Sequence, residues 1–206
     1  MRRLFALLSL ALLALLASGC GDDVRRAGPG QAAAPTCPKA WRAGWQRLAD
    51  RIGTAVYCPT WLPGPLTGEI GGPWTSIDSV DEDGSYLISF IYKEKAEEVH
   101  VNFRGYPGRT KVPTCIDVQT GAGQVRRRKV PCFADPRGTK RVGGIDATVY
   151  TVNRDADQWH VLYAWRRDGT LYSVSEHIAP PYSFSAVVRN LERMLRTLAL
   201  VEPADA

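Results

Sequence analysis

Apolar positions recur along this chain with three rhythms, and each rhythm predicts a different kind of element. A Leu/Ala-rich run fills positions 4–17. A helical rhythm places Trp41, Trp45, Leu48 and Ile52 on one face, which predicts a short amphipathic helix over 38–52. Pro38 suits its first turn and Gly53 its stop. A second helical stretch over 185–198 carries Val187, Val188, Leu191, Met194, Leu195 and Leu198 as one stripe, with Ser183 or Ser185 available as a cap. Between the two helices, from Ser85 onward, the rhythm shortens to that of strands. Residues 86–93 are rich in β-formers and follow Asp83-Gly84. In 98–104, Val99, Val101 and Phe103 alternate with His100 and Asn102. These two segments predict an antiparallel hairpin. Residues 145–152, 160–166 and 170–177 are further strands, the last two joined at Arg167-Asp168-Gly169, a good hairpin turn.

Strands in series, with helices only at the two ends, predict an α+β fold. The expected architecture is an antiparallel sheet of about five to seven strands, packed by a C-terminal amphipathic helix and a short N-terminal helix. Residues 37–201 make one domain of ordinary size, followed by a tail at 202–206. Residues 20–36 contain Gly28-Pro29-Gly30 and no apolar periodicity. They read as a flexible tether spanning roughly 20 Å.

The run at 4–17 changes the picture from fold to address. Arg2 and Arg3 precede it, and Ala17-Ser18-Gly19-Cys20 follows it. At about 15 residues it is shorter than the roughly 20 needed to span a bilayer, so 1–19 reads as a removable signal peptide. The segment resembles the lipobox signal of bacterial lipoproteins. That resemblance implies that Cys20 is lipidated and holds the protein on the outer, extracytoplasmic face of the cell membrane. It departs from the common pattern in having Ala17 where Leu is usual. Ala17-Ser18-Gly19 also fits ordinary signal peptidase, which would release a secreted, soluble form.

Five cysteines in an exported chain leave four once Cys20 is set aside: Cys37, Cys58, Cys115 and Cys132. Four cysteines allow three pairings. Neighbour pairing, Cys37 with Cys58 and Cys115 with Cys132, is favoured because each couple brackets one local unit. No C-x-x-C spacing exists and His100, His160 and His177 are scattered, so no metal and no cofactor are expected. The net charge of +5 for the whole chain, with Arg2 and Arg3 lost in the signal, is too small a bias for nucleic-acid binding. Arg126, Arg127, Arg128 and Lys129 form the sharpest charge feature, in a loop flanked by Val112-Pro113 and Val130-Pro131 and read as a bridged arm. They are candidates for contact with anionic lipid, an anionic wall polymer or an envelope protein.

No G-x-S-x-G, S-x-x-K or P-loop motif appears. Ser173, Ser175 and His177 share one strand face, a position that exposed polar residues would occupy equally well. The cluster of Asp78, Asp81, Glu82 and Asp83 before Gly84 reads as a solvated turn. Tyr57-Cys58-Pro59-Thr60-Trp61-Leu62-Pro63 and the closing strand, turn and helix over 163–201 resemble small extracytoplasmic domains of uncharacterised function, found in lipoproteins and behind anti-sigma-factor membrane segments. That resemblance implies a sheet-and-helix domain and supplies no activity. The expectation is therefore a lipid-anchored, non-catalytic binding or envelope-associated module, with no catalytic residue and no enzyme activity. The alternative is a hydrolase-like enzyme of the cell envelope. A site gathering His177, His160 and carboxylates would favour that alternative.

Overall fold

The computed structural model describes residues 34–66, 76–94, 97–121, 124–155 and 159–204. The signal segment, Cys20 and the tether up to residue 33 lie outside the described residues. In chain order the elements are α1 (Lys39–Ile52), β1 (Val56–Cys58), β2 (Ser76–Val80), β3 (Tyr86–Glu94), β4 (Glu97–Tyr106), β5 (Thr114–Gly121), β6 (Gln124–Pro131), β7 (Phe133–Val142), β8 (Ile145–Asn153), β9 (His160–Arg167), β10 (Thr170–His177), α2 (Phe184–Thr197) and β11 (Ala199–Val201).

The fold is α+β, as the rhythms predict. Seven strands form one antiparallel sheet in the order β2-β3-β4-β10-β9-β8-β7. Two two-stranded pairs stand apart from it, β1 with β11 and β5 with β6. The sequence rhythm begins the strands at Ser85, whereas β1 and β2 precede that point. β7 also escapes the pattern. It contains Asp135-Pro136-Arg137-Gly138, and its register with β8 shifts between Pro136 and Thr139. A proline and a glycine at such a bulge look like a loop in sequence, because a bulge tolerates both.

Both helices cover the same face of the sheet. Trp41, Trp45 and Ala49, one helical turn apart, are buried on α1. The Trp41 ring lies 5.0 Å from that of Phe90, and Trp45 meets Phe103 edge-on at 6.2 Å. These tryptophans pack on the sheet and present no membrane-facing surface. α2 buries Val187, Leu191, Met194 and Leu195, and the Ser183 hydroxyl accepts a hydrogen bond from the Ala186 amide at 3.3 Å to cap its start. Beneath the helices lie Phe90, Val99, Val101, Phe103, Val161, Tyr163, Trp165, Tyr172 and Val174, all buried. Gly105 on β4 is required by this face. A Cβ there would stand 2.2 Å from Cε1 of Tyr86, its partner across the strands. At the β9–β10 turn Asp168 and Gly169 both take positive φ, 48° and 76°, the left-handed pair that a two-residue hairpin needs.

The two cysteine couples form the disulfides Cys37–Cys58 and Cys115–Cys132. The first joins the residues preceding α1 to β1, and β1 pairs with β11 through Val56–Val201, Tyr57–Leu200 and Cys58–Ala199. Further links reinforce that seam. The Asp50 carboxylate accepts from the Ala204 amide at 2.8 Å, and Gln46 donates to the Glu202 carbonyl at 2.8 Å. The acidic turn is a turn: the Gly84 amide donates to the Asp81 carbonyl at 3.0 Å, and Asp83 accepts from the Ser85 hydroxyl and pairs with Arg109. Asp78 falls on β2. Among the described residues no helix is long and apolar enough to cross a membrane.

Candidate metal centre

Strand alternation sends every second residue of β4, β9 and β10 away from the helices. On this second face β4 presents His100, Asn102 and Arg104, β10 presents Ser173, Ser175 and His177, and β9 presents His160 and Leu162. Most of these polar side chains are buried: His100 and Asn102 are 7% and 6% exposed, Ser173 and Ser175 3% and 2%, and His160 is fully covered. Exposure, one of the two accounts that alternation leaves open for Ser173, Ser175 and His177, does not hold for the two serines, and buried polar groups on this face partner one another instead. Ser89 donates to the Asn102 side-chain oxygen at 2.5 Å, and the Ser175 hydroxyl lies 3.1 Å from Nδ1 of His160.

The three histidines meet at one end of these strands. β9 and β10 are hairpin partners, and their register sets His160 directly opposite His177. β10 is also the neighbour of β4, where Glu176 pairs with Val101, so His100 arrives beside His177. Nε2 of His100 and Nε2 of His160 are 2.7 Å apart. The rings of His100 and His177 stack with centroids 4.7 Å apart and planes 17° from parallel, and those of His160 and His177 are 5.3 Å apart. One ligand nitrogen from each residue falls within a 4.8 Å sphere of mutual distances. His177 is only half-buried, so the cluster has one side toward solvent.

Both Nε2 atoms that converge are backed on their far side. Nδ1 of His160 has the Ser175 hydroxyl, and Nδ1 of His100 lies 3.0 Å from a Glu98 carboxylate oxygen. The Lys93 ammonium, at 2.7 Å, holds the Glu98 carboxyl below the usual carboxylate range, and His100 and His177 add to this against the cost of partial burial. The Ser175 hydroxyl stands behind His160 as the supporting partner of a metal-binding histidine does, while the ionised Glu98 carboxylate lies near His100 as a charge, not as a hydrogen-bond acceptor for Nδ1. The donor set therefore fits a borderline transition metal such as zinc. Nε2 of His100 and Nε2 of His160 stand at hydrogen-bond distance, so the two rings would have to part and turn to share an ion.

This convergence corrects the expectation of a non-catalytic module without enzyme activity. That expectation rested on the absence of a catalytic motif, and the expectation of no metal on histidines scattered in sequence, 60 and 17 positions apart, which strand pairing brings together. Part of the signal was available. Counting back from the Asp168-Gly169 turn pairs 167 with 170 and, in step, 160 with 177. His100 could not be counted in, because its arrival depends on a long-range pairing between β4 and β10.

The next residue along β10 shows what the other face does with an ionisable group. Glu176 points toward α2, fully covered, and one carboxyl oxygen accepts from the Asn190 side chain at 2.8 Å. The other has no hydrogen-bond partner among the described residues. Burial pushes this carboxyl up to about 8, partly countered by Asn190.

A second grouping, Cys115, Cys132 and the Asp155 carboxylate, also lies within 4.8 Å. Its sulfurs are joined in a disulfide, which removes the thiolates a metal would need. Asp155 is occupied instead by Arg104, at 2.9 Å, and by the Tyr106 hydroxyl, at 2.7 Å. This disulfide sits with Tyr106, Phe133 and Leu171 at the end of β4 and β10 remote from the histidines. Arg126, Arg127, Arg128 and Lys129 are exposed on β6 and take no part in the histidine cluster. Cys20 lies outside the described residues. No protein-family model, no curated protein and no solved structure matches the chain.

Proposed function

We propose that this protein is a hydrolase-like enzyme of the cell envelope, and that its working site is a zinc ion held by His100, His160 and His177. The observation that carries the reading is the convergence of three imidazole nitrogens, two of them backed by Ser175 and Glu98. Three protein ligands with one side toward solvent is the pattern of catalytic zinc sites, whereas structural sites close the fourth position with protein. A zinc ion there supplies Lewis acidity to an ester, amide or phosphoester oxygen. The chain's own residues do the rest. Ser175 orients His160, the Glu98 charge lies beside His100, the buried Ser89–Asn102 pair ties β3 to β4 behind them, and half-buried His177 lies where a substrate would approach.

The location follows as part of the same proposal: anchored by lipid on Cys20 at the outer membrane face, or secreted if Ala17-Ser18-Gly19 is cut by the ordinary peptidase. The lipobox resemblance supports this, and two disulfides suit an oxidising compartment.

Metal content and cobalt spectroscopy test the site. The purified protein should take up one zinc per chain, and cobalt in its place should give the intense visible bands of a four-coordinate site. His160→Ala should lose both, and the native protein should cleave an activated ester or phosphoester only when loaded. A protein that binds zinc no more tightly than His160→Ala does would overturn the reading.

A further inference from the structure

β5 and β6 form a ribbon that, among the described residues, pairs with no other strand. Each strand has eight residues, so the ribbon is about 25 Å long. Its root is fixed: Cys115–Cys132 closes it, the Cys132 amide donates to the Pro113 carbonyl at 2.9 Å, and Arg154 donates to the Pro131 carbonyl at 3.2 Å. Beyond the root both strands run exposed in water.

The register divides the ribbon into two unlike faces. One carries Asp117 opposite Arg128 and Gln119 opposite Arg126, and Arg128 is paired with Asp117 at 3.0 Å. The other carries Ile116 opposite Lys129, Val118 opposite Arg127, and Thr120 opposite Val125. Ile116, Val118 and Val125 are 53%, 51% and 61% exposed, and they are three of the five exposed large apolar residues among those described. The four cations that form a single run in sequence are thus split. Arg126 and Arg128 lie on the polar face, while Arg127 and Lys129 stand among the aliphatic side chains.

Three β-branched side chains left in water on a ribbon with no cover beneath them have a cost, and alternation gathers all three on one side. A polyanion alone would gain from Arg127 and Lys129 and nothing from Ile116, Val118 or Val125. The headgroup region of a bilayer uses both. Aliphatic groups enter the acyl boundary, while long basic side chains reach back to the phosphates. We propose that the β5–β6 arm is a membrane-docking element that lays its Ile116/Val118/Val125 face in an anionic lipid surface, with Arg127 and Lys129 on lipid phosphates. The proposal does not depend on the metal centre. Alongside a lipid on Cys20 it would supply the second attachment that stable anchoring by one lipidated terminus needs.

Hydrogen exchange of the full chain on vesicles tests this, because it reads residues 114–131 locally whether or not the N-terminus is lipidated. Vesicles of phosphatidylglycerol mixed equally with phosphatidylcholine should slow exchange in the arm about tenfold or more relative to phosphatidylcholine alone. Replacing Arg127 with Gln should weaken that partition about fivefold. A triple variant with Ile116, Val118 and Val125 all changed to Ser keeps every charge and alters only exposed positions. Its melting temperature should match the parent and its arm protection should vanish. Protection that persists in the triple variant, or that soluble polyphosphate reproduces in full, would mark a simple polyanion contact and overturn the proposal. Protection by neither surface would overturn it as well.

Discussion

Around the histidines the two faces of the seven-stranded sheet, made by the same strands, are chemically opposite, although the far face turns apolar again at Tyr106, Leu162 and Leu171. Under the helices, Phe90, Phe103, Trp165 and Tyr172 stack with aliphatic residues into a dry layer. On the far side, at the same level of β4 and β10, lie Asn102, Ser175 and the histidines. A dry face gains from area and is indifferent to which apolar neighbour supplies it. A buried polar face has no such latitude, because each donor needs its acceptor at a set distance. The first face therefore secures the fold. The second is where geometry is specified, and specified geometry is what a ligand site requires.

The largest effect separating the faces should come from Phe103→Ala. It removes a buried ring in contact with Trp45 and Phe90, and urea denaturation should show a loss of about 3–5 kcal/mol. The fraction that stays folded should bind zinc normally; a lost site would mean that the faces are not separable.

Glu176→Gln comes next, as the exception on the dry face. The folded carboxyl is raised to about 8 from an ordinary 4.5. Below the ordinary value both states are protonated and the full stability is present. As pH rises toward 8, the unfolded chain releases its proton while the fold retains it, so stability drains away over that window. Gln keeps an oxygen for Asn190 and carries no charge. It should stabilise the protein by up to about 5 kcal/mol at pH 9 and by little at pH 4, as thermal melts across pH will show.

Ser175→Ala on the polar face should touch both fold and site. Removing the hydroxyl beside buried Nδ1 of His160 should cost about 1–3 kcal/mol in melting, and zinc affinity by competition with a chelator should fall about tenfold. Smallest is Ser183→Ala, which uncaps α2 at a cost of about 1 kcal/mol in chemical denaturation and should leave zinc affinity untouched.

The dry face was legible in the sequence because its rule is local. Val99, Val101 and Phe103 announce a strand by period, and Trp41, Trp45, Val187, Leu191 and Leu195 announce helices by theirs. The polar face follows the same alternation, so membership of Ser173, Ser175 and His177 was legible too. Their burial was not, since a serine on a strand is written identically whether water or Asn102 lies over it. The meeting of His100 with His160 depends on β4 choosing β10 as its neighbour, a pairing between segments about 70 residues apart that no local rhythm encodes. β7 was hidden for a different reason: its bulge places Pro136 and Gly138 where a regular strand would exclude them.

The seam where β1 meets β11 has a mechanical consequence. A pull applied ahead of α1, as on a tethered domain, enters at Cys37 and crosses the sulfur bridge to Cys58. From there it passes to Ala199 on β11 through the pairing of the two short strands. The load is carried by a covalent link and a short clasp at the margin of the molecule. The long sheet, with the histidines at the ends of its central strands, lies outside that clasp and should keep its geometry when such a load is applied.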